Sequence, residues 1–486
     1  MTSAEITPIE GATGVPPGEI PPDRGRSWWL REALQQEAGE PCPPLEGEHE
    51  ADIVVLGGGY TGMWTAHSLL RRDPGLDIVL LEADICGGGP SGRNGGFVNG
   101  FWNGVDEVTE LFGDDRGLEL VRAADRSIAE IGEFCERYGI DAWYTRRGDI
   151  GVATSPAQEG AWRPAIEAAR RLGVGQALRE LRPDEVQERC RSPLFGGGML
   201  TTNAATVQPA RLARGLRRVL IEQGARIHEN SPVRRFSSGP PAVAETPRGS
   251  VRAKTAVIAM NAWMAQWRAF RSRVTVRGSY IVLTAPAPDL LREINWTGGE
   301  AVWNFRSAVN YLRTTPDGRI AFGTGGLQPG LARSIGPRFS YDERFVRRVA
   351  EHLWRMFPAF ADVPLEAAWG GPVDVSGSHV PFFGTLPSGN VHFGVGYTGN
   401  GIGPSHLGGS ILASLALNAD DEFARLPLVD LRPRRFPPEP LRSPGVLIAN
   451  RAILRKDEAE DAGRRASPVT DFLARLPRRL GYKLGP

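Results

Sequence analysis

The chain has 486 residues and carries 57 basic against 56 acidic side chains, a formal net charge of +1. That balance gives no global charge excess pointing to nucleic acid or another strongly anionic partner, so no nucleic-acid partner is expected. A hydrophobic share of 41% and a charged share of 23% are those of a globular protein, large enough for two domains.

Residues 1 to about 48 are proline-rich, interrupted by Ser27-Trp28-Trp29-Leu30-Arg31-Glu32-Ala33-Leu34. This amphipathic piece predicts an arm anchored on the body by its two tryptophans, which are costly to leave in water. Next come an apolar strand (52–56), a helix with Trp64, Ala66, Leu69 and Leu70 at helical spacing, and a second strand (77–81). Residues 105–139 read as helix, 143–154 as a strand pair, 156–190 as mostly helix and 209–223 as a strong helix. Residues 225–228 and 251–260 read as strands returning to the first sheet. The pattern then turns to β, with strands at 279–284, 301–305, 310–314 and 320–323 and a tight Pro316-Asp317-Gly318 turn. A helix over 341–357, a buried strand over 391–395 and a helix over 405–417 follow. The tail from 426 is rich in Pro and Arg. Its segment 471–480 is basic and amphipathic, expected to pack on the body or a partner subunit rather than on a membrane, with Pro477 limiting the helix.

Three glycine-rich clusters carry the chemistry. The first strand runs into Gly57-Gly58-Gly59-Tyr60-Thr61-Gly62, and Glu82 closes the next strand. Gly57 permits a tight turn, Gly59 lets the backbone approach a pyrophosphate, and Gly62 lets helix pack on strand; the helix N-terminus faces the phosphates. Glu82 is placed to accept hydrogen bonds from ribose hydroxyls and disfavours a 2′-phosphate. This much fits NAD or FAD. The second cluster includes Ser91-Gly92-Arg93-Asn94-Gly95-Gly96, where backbone amides and a guanidinium can approach an anion or a planar ring. The third, Gly396-Tyr397-Thr398-Gly399-Asn400-Gly401-Ile402-Gly403, joins a strand to a helix, and its amides can stabilise negative charge on a carbonyl-rich ring. A plain NAD dehydrogenase has no use for the last two clusters.

Together the clusters resemble the D-amino-acid oxidase/glycine oxidase (DAO) family of FAD enzymes, and more closely its amine-oxidising branch, typified by gamma-glutamylputrescine oxidase. The similarity spans roughly residues 50 to 420, with weaker matches at Tyr311-Leu312-Arg313 and Trp369-Gly370-Gly371-Pro372. The resemblance implies that Gly57, Gly59, Tyr60, Thr61 and Gly62 meet the FAD pyrophosphate and Glu82 the ribose. It implies that Ser91, Gly92, Arg93, Asn94, Gly95 and Gly96 run along the phosphates and flavin, that Val233 meets the adenine, and that Gly399, Asn400, Gly401 and Ile402 face the flavin pyrimidine. Two departures narrow it. Gly371 falls where the amino-acid oxidases place the arginine of a G-L-R-P segment that clamps an α-carboxylate, so a simple α-amino acid is a poor fit unless Arg313 takes over. Near the flavin loop stand Arg93 and Asn94 rather than a tethering His or Cys, so non-covalent FAD is expected.

The expected fold class is α/β (α+β overall): a discontinuous Rossmann-like FAD-binding domain with an inserted β-sheet-rich substrate domain. The expected division is an arm (1–48), FAD-binding parts at 49–142, 201–265 and 369–425, substrate-domain parts at 143–200 and 266–368, and a tail (426–486). The expected reaction is oxidation of a C–N bond of a primary or secondary amine to an imine by hydride transfer to the flavin. Reoxidation by O₂ would release H₂O₂. Alternatives are a dehydrogenase passing electrons to a quinone or carrier, and a flavin-binding assembly subunit without turnover. Tyr280, Trp303, Tyr311 and Arg313 are the substrate-pocket candidates, with sheet packing as the rival role for the aromatic three. His379 lies near the FAD-side return and is read as a structural or surface residue ahead of a site role, and His406 is assigned no chemistry. The four cysteines, Cys42, Cys86, Cys135 and Cys190, form no C-x-x-C pair, and the first residues show no signal pattern. Reduced thiols, no metal, no membrane span and a cytoplasmic location are therefore expected; the oligomeric state stays open.

Overall fold

The computed structural model describes residues 15–37, 39–331 and 334–482. The first 14 residues of the expected arm lie outside the described residues.

Two eight-stranded sheets organise the protein. In the first, Gly47–Leu56 sits between Ile78–Leu81 and Gly249–Ile258, all parallel. Arg226–His228 and Val391–Val395 extend it in parallel on either side, and Phe382–Thr385 adds an antiparallel edge. The central strands are apolar on both faces because both are covered. Ile53 and Val55 pack under the helices Tyr60–Arg72, Asp114–Arg137, Pro209–Glu222 and Ile402–Ala416. Val54 and Leu56 pack on the other face against Ala262, Met264 and the strand Ala242–Glu245.

The second sheet runs in the order Leu365–Ser376, Val274–Thr284, Ile320–Pro329, Asn310–Thr314, Ala301–Asn304, Asp149–Val152, Gly198–Thr201 and Leu178–Leu181. Only the pairing of Ala301–Asn304 with Asp149–Val152 is parallel among the described strands. The helix Glu343–Met356 covers its far face with Val346, Val349 and Leu353, and Asp342 caps that helix. The near face turns toward the nucleotide sheet. The α/β class holds.

Several elements differ from the sequence reading, each for a local reason. The long helix expected over 105–139 is two helices, because Gly113 at φ +80° breaks the chain. The pair expected over 143–154 is the single strand Asp149–Val152, with Thr145 bridging to Thr206. The segment 156–190 contains a strand, Leu178–Leu181, which forms the sheet edge. The tail contains a 20-residue helix, Arg442–Asp461, held by polar contacts. Arg277 donates to Asn450 Oδ1 at 2.9 Å, and the Ala308 amide donates to Asp457 at 2.8 Å. A last helix, Pro468–Arg479, passes through Pro477 and leaves Val469 and Phe472 exposed.

The helix Trp28–Gln36 straps the two sheets together. Ser27 caps it, and Trp28 and Trp29 are fully buried, edge-on to each other. Trp28 Nε1 donates to Glu366 of the second sheet at 2.7 Å. Trp29 packs edge-on against Trp369 and donates to the Asn94 carbonyl at 3.1 Å.

Candidate functional site

The three glycine-rich clusters, more than 300 residues apart at the extremes, meet in one place. Gly57 has φ +113°, and a Cβ there would lie 2.5 Å from the Ala259 carbonyl, so glycine is required. A Cβ on Gly62 would fall on the Gly57 carbonyl. The helix Tyr60–Arg72 has no cap from its own N-cap residue, and the Thr61 and Gly62 amides of its first turn are left for an anion. The Tyr60 amide donates to Ser91 Oγ at 2.8 Å, tying cluster one to cluster two. The Thr61 hydroxyl donates to Tyr397 Oη at 2.8 Å, tying cluster one to cluster three. Asn400 Nδ2 donates to the Gly100 carbonyl at 2.9 Å, and Gly403 lies against Asn99.

Glu82 stands at the end of its strand as the motif requires. Its Oε2 accepts from the Gly58 amide at 2.7 Å and its Oε1 from the Asp84 amide at 2.9 Å; burial raises its pKa. The Ser231 amide donates to the Glu82 carbonyl at 2.7 Å, which sets Val233 two residues beyond that contact. The third turn is held by a buried carboxyl that sequence reasoning missed. Asp374 accepts from the Gly396 amide at 2.5 Å, and burial lifts it to about 7. The turn passes through Thr398 and Gly399 at positive φ, and the helix starts at Ile402, three residues before the expected Ser405. Ile402 is thus the first residue of an uncapped helix rather than part of the loop.

The second loop differs in how it works. Arg93 donates to the carbonyls of Gly88 at 3.0 Å and Gly25 at 3.1 Å, and Asn94 Nδ2 to those of Pro90 and Ser91. Asn94 Oδ1 accepts from the Gly96 amide at 2.8 Å. These side chains shape the loop, so what Ser91 to Gly96 present is mainly backbone. Gly92 and Arg93 are pinned from outside: the Gly92 carbonyl accepts from Ser27 Oγ at 2.5 Å and the Arg93 carbonyl from Trp369 Nε1 at 2.8 Å.

Strand alternation sorts the pocket candidates. Trp303 pairs with Tyr311, and Tyr311 with Gly323, so all three share a face. Tyr311 packs beside Gly95 and Phe97 and bonds Ser279 Oγ at 2.6 Å. Tyr280 follows Ser279 and points the opposite way. It stacks on Phe345 of the far helix and donates to the Arg338 carbonyl at 2.7 Å. Tyr280 therefore belongs to the far core, not the pocket. Arg313 reaches the nucleotide side beside Gly96 but donates to the Val207 and Thr314 carbonyls over the Trp29 ring; burial lowers it to about 9. Two of its three nitrogens are thus tied to backbone carbonyls, and Gly371, where the clamp would fall, lies against Arg93. Trp303 donates to Asp149 Oδ1 at 2.9 Å. Asp149, also missed, is fully buried on the near face; its signal was one acid in an otherwise apolar strand. His406 is core, edge-on to Trp64 and held near 3 by burial, and His379 sits in a turn at φ +61°.

These residues fit a flavin dinucleotide. Two uncapped helix N-termini converge with an acid at the ribose position, Gly89 and Gly401 have open space where a Cβ would stand, and Asn400 Oδ1 is buried without a hydrogen-bond partner among the described residues. Fold and site together define a dinucleotide-binding oxidoreductase, its three glycine-rich clusters joined beside the second sheet.

Comparison with known proteins agrees. The family model DAO, FAD dependent oxidoreductase, matches residues 52–415. The chain is 30% identical over 391 residues to the probable oxidoreductase OrdL of Rhizobium meliloti, covering 78% of this chain and 86% of that one. It is 30% identical over 394 residues to the gamma-glutamylputrescine oxidoreductase of Escherichia coli, covering 80% and 89%. The glycine oxidase of Geobacillus kaustophilus shares the fold, with a TM-score of 0.65 at 22% identity over 79% of this chain and 99% of that one. The chain belongs to the DAO family of FAD-dependent oxidoreductases. Among the described residues no group of His, Cys, Asp and Glu is arranged to hold a metal, and no helix is long and apolar enough to cross a membrane.

Proposed function

We propose that this enzyme oxidises the C–N bond of a primary or secondary amine to an imine, with O₂ as electron acceptor and H₂O₂ as by-product. Non-covalent FAD, when bound, accepts the hydride. The observation that carries the amine reading is the near face of the second sheet. It offers a buried carboxyl, Asp149, and the aromatic rings of Trp303 and Tyr311, while the one arginine facing it from the candidate set is bonded to carbonyls. That surface suits an amine better than an α-carboxylate. The similarity to a gamma-glutamylputrescine oxidoreductase supports the same class.

In this reading the uncapped turn at Thr61 and Gly62 binds the pyrophosphate, with Ser91 Oγ beside it, and Glu82 takes the ribose. Val233 lies toward the adenine. The backbone of Gly92 to Gly96 and the turn Gly399 to Ile402 border the ring. Asp374 and the Thr61–Tyr397 bond fix that turn. The aromatic wall excludes water and lowers the pKa of a bound amine, so that the neutral form persists. The second sheet serves as the substrate-facing domain and the first as the FAD-binding domain.

The test is amine-dependent O₂ uptake with H₂O₂ release by the purified FAD-loaded protein. Slow reoxidation of dithionite-reduced protein in aerated buffer would move the assignment to a dehydrogenase. Acid precipitation tests the non-covalent bond: yellow colour retained in the washed pellet would contradict it.

A further inference from the structure

Asp149 opens the strand Asp149–Val152 and is 1% exposed. Its neighbours Ile150 and Val152 lie in the far core, so alternation directs Asp149 to the nucleotide side, where Trp303 and Tyr311 also point. Oδ1 accepts from Trp303 Nε1 at 2.9 Å. Oδ2 is buried with no hydrogen-bond partner among the described residues. Trp303 is joined around the carboxyl by Thr201, Asn103 and Asn99, which hydrogen-bond it at longer or more bent geometry, and none of the four is charged. Burial lifts the group to about 6, which leaves it ionised at neutral pH. An ionised carboxylate buried without a cation is costly, and such groups are retained where a positive partner arrives.

The loop bearing Asn99 and Asn103 links Asp149 to the flavin end of the site. The Asn99 carbonyl lies against Gly403, and the next carbonyl, of Gly100, accepts from Asn400. The missing cation is therefore sought next to the flavin-side turn. It cannot be the nitrogen being oxidised. A carboxylate beside that nitrogen would favour its protonated form, and the protonated form has no lone pair to assist hydride loss.

We infer that Asp149 is an anionic subsite that holds a second, protonated nitrogen of the substrate, so that the preferred substrate is a diamine or polyamine. This rests on the reading that the enzyme oxidises amines, yet the two can fail separately. tert-Butylammonium is a probe that carries the charge but has no C–H on the carbon bearing nitrogen, so it cannot reduce the flavin. It is titrated into FAD-loaded wild type and Asp149→Asn, followed by protein and flavin spectra. The expected result is saturable binding to wild type that weakens at least about tenfold in the variant, while tert-butanol does not discriminate between them. Should the variant fold poorly, wild type alone decides: affinity for the probe is steady above about pH 7 and falls as pH drops through the Asp149 range near 6. Anaerobically, 1,4-diaminobutane reduces the wild-type flavin at least about tenfold more efficiently than n-butylamine, and the advantage disappears in Asp149→Asn. No saturable binding to wild type, equal binding by the variant, a flat pH profile, or no preference for the diamine overturns the inference and leaves amine oxidation standing. Probe binding without flavin reduction by any amine sinks amine oxidation instead.

Discussion

Replacing Asp149 by Asn stabilises the FAD-loaded protein at neutral and alkaline pH when no amine is present. The carboxyl sits at about 6 against an ordinary 3.8, because burial outweighs the hydrogen bonds from Trp303, Thr201, Asn103 and Asn99. Two pKa units at 1.36 kcal/mol each give a penalty of about 3 kcal/mol for holding the charged form in the folded protein. The sign follows from a raised acid pKa. Between about 4 and 6 the folded state keeps a proton that the unfolded chain has released, so wild-type stability falls as pH rises through that window. The full penalty is present above it. Asn keeps the oxygen that accepts from Trp303 and cannot ionise. Thermal melting of both proteins across pH checks this: the variant melts a few degrees higher at about pH 8, and the gap closes below about pH 4. A variant that is less stable at pH 8, or whose advantage grows as pH falls, refutes the account of Asp149.

Trp29→Ala removes a fully buried ring that bridges Asn94 and Trp369, so it costs about 3–5 kcal/mol and loosens the second loop. Equilibrium dialysis then shows weaker FAD binding than wild type, partly restored by Trp29→Phe. Gly403→Ala drives a methyl into the Asn99 carbonyl, and the purified variant carries substoichiometric FAD by absorbance ratio. Tyr280→Phe and Tyr311→Phe separate the two faces of the second sheet. Stopped-flow reduction by an amine stays within about twofold of wild type in the first and changes in the second, since only Tyr311 borders Gly95.

The nucleotide unit was legible because its signals are local. The glycines at 57, 59 and 62, the flanking apolar strands and Glu82 all act within about 35 residues, and each has one steric or electrostatic reason to be there. The joining of the three clusters was legible only as a resemblance; the bonds that make it, Tyr60 to Ser91 and Thr61 to Tyr397, involve residues with no pattern of their own. The face of Tyr280 was not legible. Its strand, Val274–Thr284, is buried along almost its whole length, and from Tyr280 the run Tyr280-Ile281-Val282-Leu283 is apolar on both faces, so alternation carries no signal there. The helix Arg442–Asp461 was hidden for the opposite reason. It is anchored through Asn450 and Asp457 rather than by an apolar stripe, so its sequence looks like a charged tail. Arg313 shows the limit of residue type as evidence: the guanidinium is near the second glycine-rich loop, but its Nε and one terminal nitrogen already donate to the Thr314 and Val207 carbonyls.

The central claim is that bound FAD in this site takes a hydride from an amine. The direct measurement is anaerobic mixing of the purified FAD-loaded enzyme with a panel of diamines, polyamines, N-methyl amines and amino acids, watching the oxidised flavin absorption. The account predicts complete bleaching by at least one amine and little or none by simple α-amino acids. A flavin that stays oxidised with every amine, or that bleaches only with α-amino acids, contradicts it.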